Sequence, residues 1–363
     1  SKSTRRRPRA PIVNYVDPDL DSPKEECGVI GISTPGNDAA QLAFFGLYAL
    51  QHRGQEAAGI AVADGQAVRV HKDMGLVSQV FDAGALDPLV GGLAIGHTRY
   101  STTGASSERN VQPYVVETMH GPLGIAHNGN LVNADYLREG LLKRGAGLSS
   151  SSDSEVLALM LAATEGESWE HRLSQVMGQW QGAFSLVVLS GTKVIGCRDP
   201  WGFRPLSMGR LPSGGHALAS ETGALRTLGC DNIREIEPGE IVVLQGQMAR
   251  SIKGVEPAAR QARCTFEQIY FSRPDAIWDS MSIHQVRQRF GAAVAAQHPV
   301  DADVVIPVPD SSMPAAIGYA AYSGIPYNEG FVKNRYIGRT FIEPTDELRR
   351  QGVALKFNTL REN

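Results

Sequence analysis

Short β-rich stretches separated by turns dominate the chain from Cys27 to about residue 255. The stretches are CGVIGIS, AAGIAVADG, AVRVHKD, LAIGHTRYST, PLGIAHNGN, AFSLVVLS, KVIGCRDP, GHALASE and EIVVLQG. Two helical patterns interrupt them, DAAQLAFFGLYALQHRG and SDSEVLALMLAATEG, with Asp38 and either Ser152 or Asp153 as expected N-caps. Many strands and few helices predict an α+β domain over residues 27–255, in which helices cover two stacked antiparallel sheets.

The pattern changes after about residue 256. A helical stretch SIHQVRQRFGAAVAAQH, a strand ADVVIPVP, a second helix starting in SSMPAAIGYAAYSG and a short run IPYNEGFV follow one another. Alternating helices and strands are typical of a parallel-sheet α/β domain. Residues 256–363 are therefore predicted to form the first part of such a domain, which this sequence does not complete.

Residues 1–26 carry clustered arginines and prolines, and they lack the apolar stretch of about 7 to 15 residues that a secretory signal needs. We interpret them as a leader, or propeptide. A net charge of −3 gives no general attraction to nucleic acid or to an acidic membrane. No window is apolar over the roughly 18 residues that a membrane helix needs. We therefore expect a cytoplasmic protein without nucleic-acid or membrane partners.

The four cysteines are scattered without a C-x-x-C pair, so a disulfide framework is not expected. Cys197 and Cys230 are interpreted as buried structural thiols. Cys27 lies in EECGVIG, which offers no base to a nucleophilic thiol. If Cys27 were the first residue, its own α-amine, with a reference pKa of about 7.7 to 8.0, could take the proton of its thiol, whose reference pKa is about 8.5. This mechanism would require removal of residues 1–26.

Several longer motifs, taken in order, resemble one enzyme class. CGVIGI, LQHRGQEAAGIAV, IGHTRYSTTG, IAHNGNLVN and SDSEVLAL resemble the N-terminal-nucleophile glutamine amidotransferases. IYFSRPD, PVPDSSMPAAIGYA and FVKNRYIGRTFI narrow the resemblance to the amidophosphoribosyltransferases, from Cys27 to the end of the chain. The resemblance implies a four-layer αββα glutaminase domain followed by an incomplete α/β domain of the phosphoribosyltransferase type.

The same resemblance implies a reaction and two substrates. The amide nitrogen of glutamine would be transferred to phosphoribosylpyrophosphate (PRPP), giving 5-phosphoribosylamine, glutamate and pyrophosphate, as the first committed step of de novo purine biosynthesis. Because the segment expected to carry the ribose-phosphate loop does not occur here, we expect this chain by itself to hydrolyse glutamine only, after processing. The full-length protein is expected to be a homo-oligomer.

The resemblance assigns five residues to glutamine. Cys27 would be the nucleophile, and the Asn128 side chain with the Gly129 backbone N–H would form the oxyanion hole. Arg99 would bind the α-carboxylate and Asp153 the ammonium of the substrate. Taken alone, Asn128 with Gly129 is typical of a tight hairpin turn, which could coincide with the oxyanion hole, and Asp153 is typical of a helix cap. Four neighbours are interpreted as structural: His52, Arg53, Gln55 and His127.

A second group of residues resembles the PRPP site of the family. The turn before the second helix offers free N–H groups to pyrophosphate through Asp310, Ser311 and Ser312. Ser311 would lie close to Mg²⁺. The basic stretch KNRYIGRT resembles a loop that closes over the substrate, with Lys333, Arg335 and Arg339 as its cations. Without the resemblance, the two segments would be interpreted as a serine-capped connection and a solvated loop.

Two cofactors and two other functions complete the expectations. Mg²⁺ is implied for the PRPP site, and CTFEQIYFSRPD resembles the stretch that, in one branch of the family, supplies the first ligand of a 4Fe-4S cluster. Such a cluster needs four ligands, and Cys264 is the single candidate here, with a buried thiol as the alternative. The chain could instead be another amidotransferase of this class, such as a glucosamine-phosphate or asparagine synthase. It could also be a non-catalytic regulatory protein that kept the scaffold.

Overall fold

The computed structural model describes residues 27–82, 84–100, 108–334 and 353–361. Its strands are β1 (Gly28–Ser33), β2 (Ala57–Ala63), β3 (Val68–Met74), β4 (Leu93–Arg99), β5 (Tyr114–Val116), β6 (Leu123–Leu131), β7 (Gly182–Leu189), β8 (Val194–Arg198), β9 (Ser207–Arg210), β10 (His216–Ala219), β11 (Asp231–Glu235), β12 (Glu240–Gln245), β13 (Met248–Lys253), β14 (Ile277–Trp278), β15 (Met281–Ser282), β16 (Phe331–Lys333) and β17 (Phe357–Thr359). Its α-helices are α1 (Ala39–Ala49), α2 (Val77–Val80), α3 (Ala134–Lys143), α4 (Asp153–Ala163), α5 (Trp169–Val176), α6 (Thr222–Thr227), α7 (Ile283–Gln297) and α8 (Met313–Ser323).

Two antiparallel sheets stack face to face in the first part of the chain. One has seven strands in the order β11-β9-β10-β1-β4-β2-β3, and the other has six in the order β13-β12-β8-β7-β6-β5. Successive side chains of a strand point to opposite faces. Val29 of β1 therefore packs between the sheets with Val187 and Leu218, whereas Ile30 and Ile32 pack on the opposite face of the same sheet. Strand β1 thus contributes to two cores at once.

Helices cover the outer face of each sheet. Helices α1, α2 and α6 pack on the seven-stranded sheet around residues such as Leu47. Helices α3, α4 and α5 pack on the six-stranded sheet around residues such as Leu157 and Leu173. The resulting αββα layers confirm the predicted fold class. All nine β-rich stretches form strands, and both predicted helices are present.

The later part of the chain is built from α7 and α8, which pack against each other. Helix α7 begins after Ser282, whose Oγ accepts a hydrogen bond from the backbone N–H of Gln285 at 3.2 Å. The stretch ADVVIPVP, predicted as a strand, makes only an isolated parallel bridge between Val305 and Tyr327. A long apolar run does not form a strand by itself, because a strand needs a hydrogen-bonded neighbour along its length. The domain boundary near residue 255 stays a prediction.

Among the helices that the structure describes, none has the length and apolar character needed to cross a membrane.

Gly31 of β1 lies where the two sheets approach closely. A Cβ at this position would lie 2.6 Å from Val187 Cγ1 and 2.9 Å from Val194 Cγ1. We expect Gly31→Ala to lower the free energy of unfolding by about 1 to 3 kcal/mol, because an overpacked core forces side chains out of their rotamers. Gly140→Ala is the matched control, since no atom lies within 4 Å of a Cβ at that position of α3. The control should be neutral or stabilising by up to about 1 kcal/mol. Similar urea midpoints for the two variants would contradict this account.

Candidate active site

Cys27 lies immediately before β1, a strand held on both sides by β4 and β10. Its side chain is half-buried, and its Sγ lies 3.7 Å from the backbone oxygen of Tyr100. The backbone oxygen of Cys27 accepts a hydrogen bond from Arg53 Nε at 2.9 Å. The predicted leader, residues 1–26, lies outside the described residues.

A small cavity lies beside the Cys27 thiol. Three other residues predicted to handle glutamine line the same cavity: Arg99, Gly129 and Asp153. Arg99 is the last residue of β4, Gly129 belongs to β6 and Asp153 is the first residue of α4. The fold therefore brings residues from four separate elements to one place.

Asn128 and Gly129 lie inside strand β6, opposite Ser185 and Phe184 of β7. The alternative that they form a tight hairpin turn is therefore excluded, because the strand continues to Leu131 and the chain does not reverse at this pair. Glycine is required for another reason. The φ angle of Gly129 is +149°, and a Cβ would lie 2.1 Å from the backbone oxygen of Ala183. This strained and crowded position excludes any larger residue.

The Asn128 side chain is buried and has unused hydrogen-bonding capacity. Only 1 % of its surface is exposed, and neither Nδ2 nor Oδ1 has a hydrogen-bond partner. Buried polar groups in folded proteins are almost always paired, since an unpaired one costs about 1 to 3 kcal/mol. An unpaired amide, next in sequence to Gly129 of the cavity wall, is therefore suited to a ligand that supplies the missing partner.

The Gly129 N–H points to the edge of β6 that faces the cavity. On either side of it along this edge, the His127 N–H donates to Gln112 Oε1 at 2.8 Å and the Leu131 N–H donates to Asp153 Oδ2 at 2.9 Å. Backbone groups two residues apart in a strand point to the same edge. The Gly129 N–H, between these two, is therefore directed at the cavity that Gly129 lines.

Arg99 and Asp153 provide opposite charges in the same cavity. Arg99 is buried and its Nη1 has no hydrogen-bond partner. The cap of α4 is Ser152, whose Oγ accepts from the Ser154 N–H at 3.2 Å. Asp153 therefore does not serve as the helix cap, and its carboxylate faces the cavity that it lines. A guanidinium and a carboxylate in one cavity match the carboxylate and ammonium of a free amino acid.

The two buried histidines near the cavity are bonded to the protein. His97 Nε2 lies 3.1 Å from the backbone oxygen of His127, and His127 Nδ1 lies 3.1 Å from Ser154 Oγ. Burial lowers the pKa of both rings, that of His97 to about 3. Both imidazoles are therefore neutral at neutral pH, which fits the structural role expected for His127.

Arg53 contacts the nucleophile, although sequence reasoning placed it in the scaffold. Its side chain is fully buried. Besides Cys27, it binds Glu221 Oε1 at 2.6 Å and Glu267 Oε2 at 2.9 Å, both through Nη1. His52 Nε2 lies 2.7 Å from the same Glu221 oxygen. No local pattern marks this cluster, because its carboxylates lie 168 and 214 residues from Arg53 in sequence.

Both carboxylates of this cluster are ionised. Burial alone would raise the pKa of Glu221, but the neighbouring His52 and Arg53 outweigh it and lower the pKa to about 2. Burial opposes ionisation of Glu267 in the same way, and Arg53 and Arg204 lower its pKa below the ordinary value. The positive charge of Arg53 is therefore balanced within the protein.

A second cavity, of about 420 Å³, lies on the other side of this cluster. His52 and Gln55 form part of its wall, together with the predicted PRPP-site residues Asp310, Ser311 and Lys333. Lys333 Nζ forms an ion pair with the Asp310 carboxylate. Ser312 precedes α8 without capping it, and its Oγ donates to the backbone oxygen of Val308 at 2.5 Å. Two predicted residues, Arg335 and Arg339, lie outside the described residues.

Among the described residues, those predicted to bind metal are not grouped with further metal-ligating side chains. In the described part of the chain, no group of three or more His, Cys, Asp and Glu side chains could hold a metal ion. Mg²⁺ commonly uses one or two carboxylates together with substrate phosphates, and Asp310 with Ser311 is what the described loop offers. Cys264 Sγ lies 3.8 Å from Arg204 Nη1. The described residues therefore do not complete a four-ligand cluster around Cys264.

Comparisons with known proteins agree with this geometry. Residues 97–227 match the family model of a glutamine amidotransferase domain. This part of the layered domain is thus similar to the glutamine amidotransferases, the class that the first five motifs indicated.

Relatives that align over most of the chain define the family. The amidophosphoribosyltransferase of Synechococcus elongatus is 47 % identical over 365 residues, covering 98 % of this chain and 74 % of the relative. That of Mycobacterium tuberculosis strain H37Rv is 46 % identical, covering 95 % of this chain and 66 % of the relative. The solved structure of glutamine PRPP amidotransferase from B. subtilis, complexed with ADP and GMP, superposes with a TM-score of 0.83 at 41 % identity, covering 93 % of this chain and 72 % of that one. The chain belongs to the amidophosphoribosyltransferase family.

Family membership confirms the resemblance found in the sequence. The chain is an enzyme of the glutamine amidotransferase and pentosyltransferase type, from purine biosynthesis. A regulatory protein without catalysis, or another amidotransferase of the class, finds no support in these comparisons. The roles of individual residues stay predictions.

Glu221 should make stability depend on pH. Its pKa in the folded protein, about 2, lies below the ordinary value of 4.5. Its ionised form therefore stabilises the fold above about pH 4.5, and this contribution is lost as the pH falls through about 2. Wild type should exceed Glu221→Gln in free energy of unfolding by about 3 to 5 kcal/mol near neutral pH, because the variant leaves a buried arginine underpaired. Denaturant unfolding at a series of pH values should show this difference shrinking toward pH 2.

The exposed Glu165 offers the control for this series. Glu165→Gln should leave the free energy of unfolding close to that of wild type at every pH. A difference between wild type and Glu221→Gln that stays constant from neutral pH to pH 2 would show that ionised Glu221 does not stabilise the fold.

Proposed function

We propose that the reaction of this family, transfer of the amide nitrogen of glutamine to PRPP, begins in the cavity at Cys27, which hydrolyses glutamine. One observation carries the proposal. Cys27, Arg99, Gly129 and Asp153 line a single cavity, and the unpaired amide of Asn128 lies in the same strand as Gly129. Nucleophile, oxyanion donors and an amino-acid clamp are the parts that amide hydrolysis needs.

The base for Cys27 is its own α-amine, after removal of residues 1–26. The amine takes the thiol proton, and the thiolate attacks the amide carbon of glutamine. Asn128 Nδ2 and the Gly129 N–H donate hydrogen bonds to the amide oxygen and stabilise the negative charge that develops on it. The amine then returns the proton to the leaving nitrogen, which departs as ammonia and leaves a thioester on Cys27. Water hydrolyses the thioester to glutamate and restores the thiol.

Arg99 and Asp153 select glutamine by its amino-acid end. Arg99 binds the α-carboxylate, for which a planar guanidinium provides paired donors that lysine lacks. The Asp153 carboxylate binds the α-ammonium. These contacts hold the amide carbon next to the thiol, and such positioning is a large part of the rate gain in enzymes.

The second cavity is the proposed site for PRPP, where ammonia displaces pyrophosphate. Its wall carries four cationic side chains, which suit a polyphosphate: Arg273, Arg287, Lys333 and Lys356. The loop at Asp310, Ser311 and Ser312 would bind pyrophosphate oxygens, and Arg335 and Arg339 would add further cations. Asp310 and Ser311 would hold Mg²⁺, which when bound would neutralise charge on the pyrophosphate. The homo-oligomeric state and the cytoplasmic location remain predictions.

Removal of the leader should switch on glutamine hydrolysis. We expect protein that begins at Cys27 to release ammonia from glutamine and to be labelled on Cys27 by diazo-oxo-norleucine, a glutamine-like electrophile. Protein that keeps residues 1–26 should do neither, because its Cys27 nitrogen is an amide and cannot accept the thiol proton. An ammonia assay combined with intact mass of each form makes the comparison.

Two variants frame this experiment. Cys27→Ser should abolish labelling, whereas Cys230→Ser, which removes a thiol outside the cavity, should keep both activities. Equal activity of the processed and unprocessed forms would refute the proposed base.

Asn128 and Arg99 should affect different kinetic constants. Asn128→Ala should lower kcat for glutamine hydrolysis by about 10² to 10³ with little change in KM, because the oxyanion exists only in the transition state. Arg99→Lys should mainly raise KM, because the carboxylate contact is made in substrate and transition state alike. Asn133→Ala, next to α3, is the matched control. Steady-state kinetics in which Asn128→Ala keeps the wild-type kcat would exclude Asn128 from the oxyanion hole.

A further inference from the structure

Glu267 is a buried carboxylate that lies outside the cavity at Cys27. It begins a π-helical turn, Glu267–Phe271, in the segment after β13, and its side chain is 0 % exposed. Its oxygens bind both terminal nitrogens of Arg53, one of them at 2.9 Å. Ser272 Oγ donates to it at 2.7 Å, and Arg204 Nη1 lies 3.5 Å away. The carboxylate is thus held from three directions.

Arg53 connects this carboxylate to the nucleophile. A guanidinium is planar, and its five donors have fixed relative directions. When Glu267 and Glu221 hold the terminal nitrogens of Arg53, the direction of its Nε is set as well. That Nε donates to the backbone oxygen of Cys27 at 2.9 Å.

The position of Cys27 at the start of β1 makes this contact important. Pairing of β1 with β4 begins at Gly28, opposite Thr98, so Cys27 lies one residue outside the ladder. The Arg53 contact therefore acts on a backbone group just before the paired part of the strand. A fixed donor at its backbone oxygen restricts the rotation that would carry the thiol away from Asn128 and Gly129.

We propose that Glu267 is a positioning residue for the hydrolysis of glutamine, acting through Arg53 on the backbone of Cys27. The glutaminase site then includes a residue from the segment after β13, beyond the strands and helices of the four layers. This inference rests on the proposed function of Cys27 as nucleophile. A displacement of about 1 Å at a reacting atom can cost about 100-fold in rate. Glu267 can therefore affect catalysis although it does not contact the thiol itself.

The test uses protein that begins at Cys27 and compares Glu267→Gln with Glu235→Gln. Glu235 is the matched control, because it binds another buried arginine, Arg198, at 2.7 Å and also accepts from Trp278 Nε1 at 2.6 Å. It therefore links strands β8 and β11 to Trp278 in the segment after β13, without touching Arg53 or Cys27. Rates are measured well below the unfolding temperature of each variant.

Glu267→Gln should lower both kcat for glutamine hydrolysis and the rate of Cys27 labelling by diazo-oxo-norleucine, by about 10- to 100-fold. Glu235→Gln should keep both rates near those of wild type. Should Glu267→Gln fail to fold, Glu267→Asp, which keeps the charge but shortens the side chain, should shift both rates in the same direction by a smaller factor.

A double-mutant cycle separates positioning from general destabilisation. If Glu267 acts through Arg53, then Arg53→Gln and the double variant Arg53→Gln/Glu267→Gln should label at the same rate, because the second change removes a contact that the first has already broken. If the double variant labels more slowly than Arg53→Gln by the factor that Glu267→Gln alone costs, the inference is overturned. It is also overturned if Glu267→Gln and Glu235→Gln lose labelling rate equally, or if Glu267→Gln labels at the wild-type rate. Wild-type protein that is not labelled at all would instead refute the proposed function itself.

Discussion

The packing of two antiparallel sheets against each other determines where the thiol and its oxyanion donors meet. Val29 of β1 and Ala126 of β6 both belong to the apolar cluster between the sheets. Since side chains two residues apart in a strand share a face, Asn128 points into this layer, and Cys27 directly precedes the strand that carries Val29. The cavity is therefore the place where the apolar interior between the sheets ends and polar groups begin. Nucleophile and donors come from opposite sheets, so the site exists only in the assembled sandwich.

Much of this fold could be predicted from the sequence, because buried strands and helices have regular apolar patterns. Three strands that were not predicted from the sequence have no such pattern. Strands β5, β11 and β13 lie at sheet edges, and β13, MARSIK, is almost entirely exposed. Their extended conformation depends on pairing with a neighbour, which no local window contains. The stretch ADVVIPVP shows the opposite error. Its apolar pattern predicts a strand, but the structure has only an isolated bridge there.

The site shows the same limit at the level of side chains. Family motifs pointed to Cys27, Arg99 and Asp153, which line one cavity, whereas the turn that local rules offered as an alternative for Asn128 and Gly129 is not formed. Asn-Gly favours a hairpin because glycine accepts positive φ. Here the positive φ serves a close passage of β6 past Ala183 instead. The Arg53 cluster could not be predicted at all, because ion pairs between distant segments leave no periodicity in sequence.

That cluster also explains why the chain keeps charges in its interior. A buried ion pair seldom adds stability beyond what apolar residues of the same size would give. Its value lies in geometry, and here the cluster contacts the backbone of Cys27 through Arg53 and includes residues that line the second cavity. Ser272 binds Glu267 and lines the second cavity, as His52 does for Glu221. The residues that hold Arg53 against Cys27 therefore also contact residues of the second cavity wall, so a change at this cluster reaches the surroundings of both cavities.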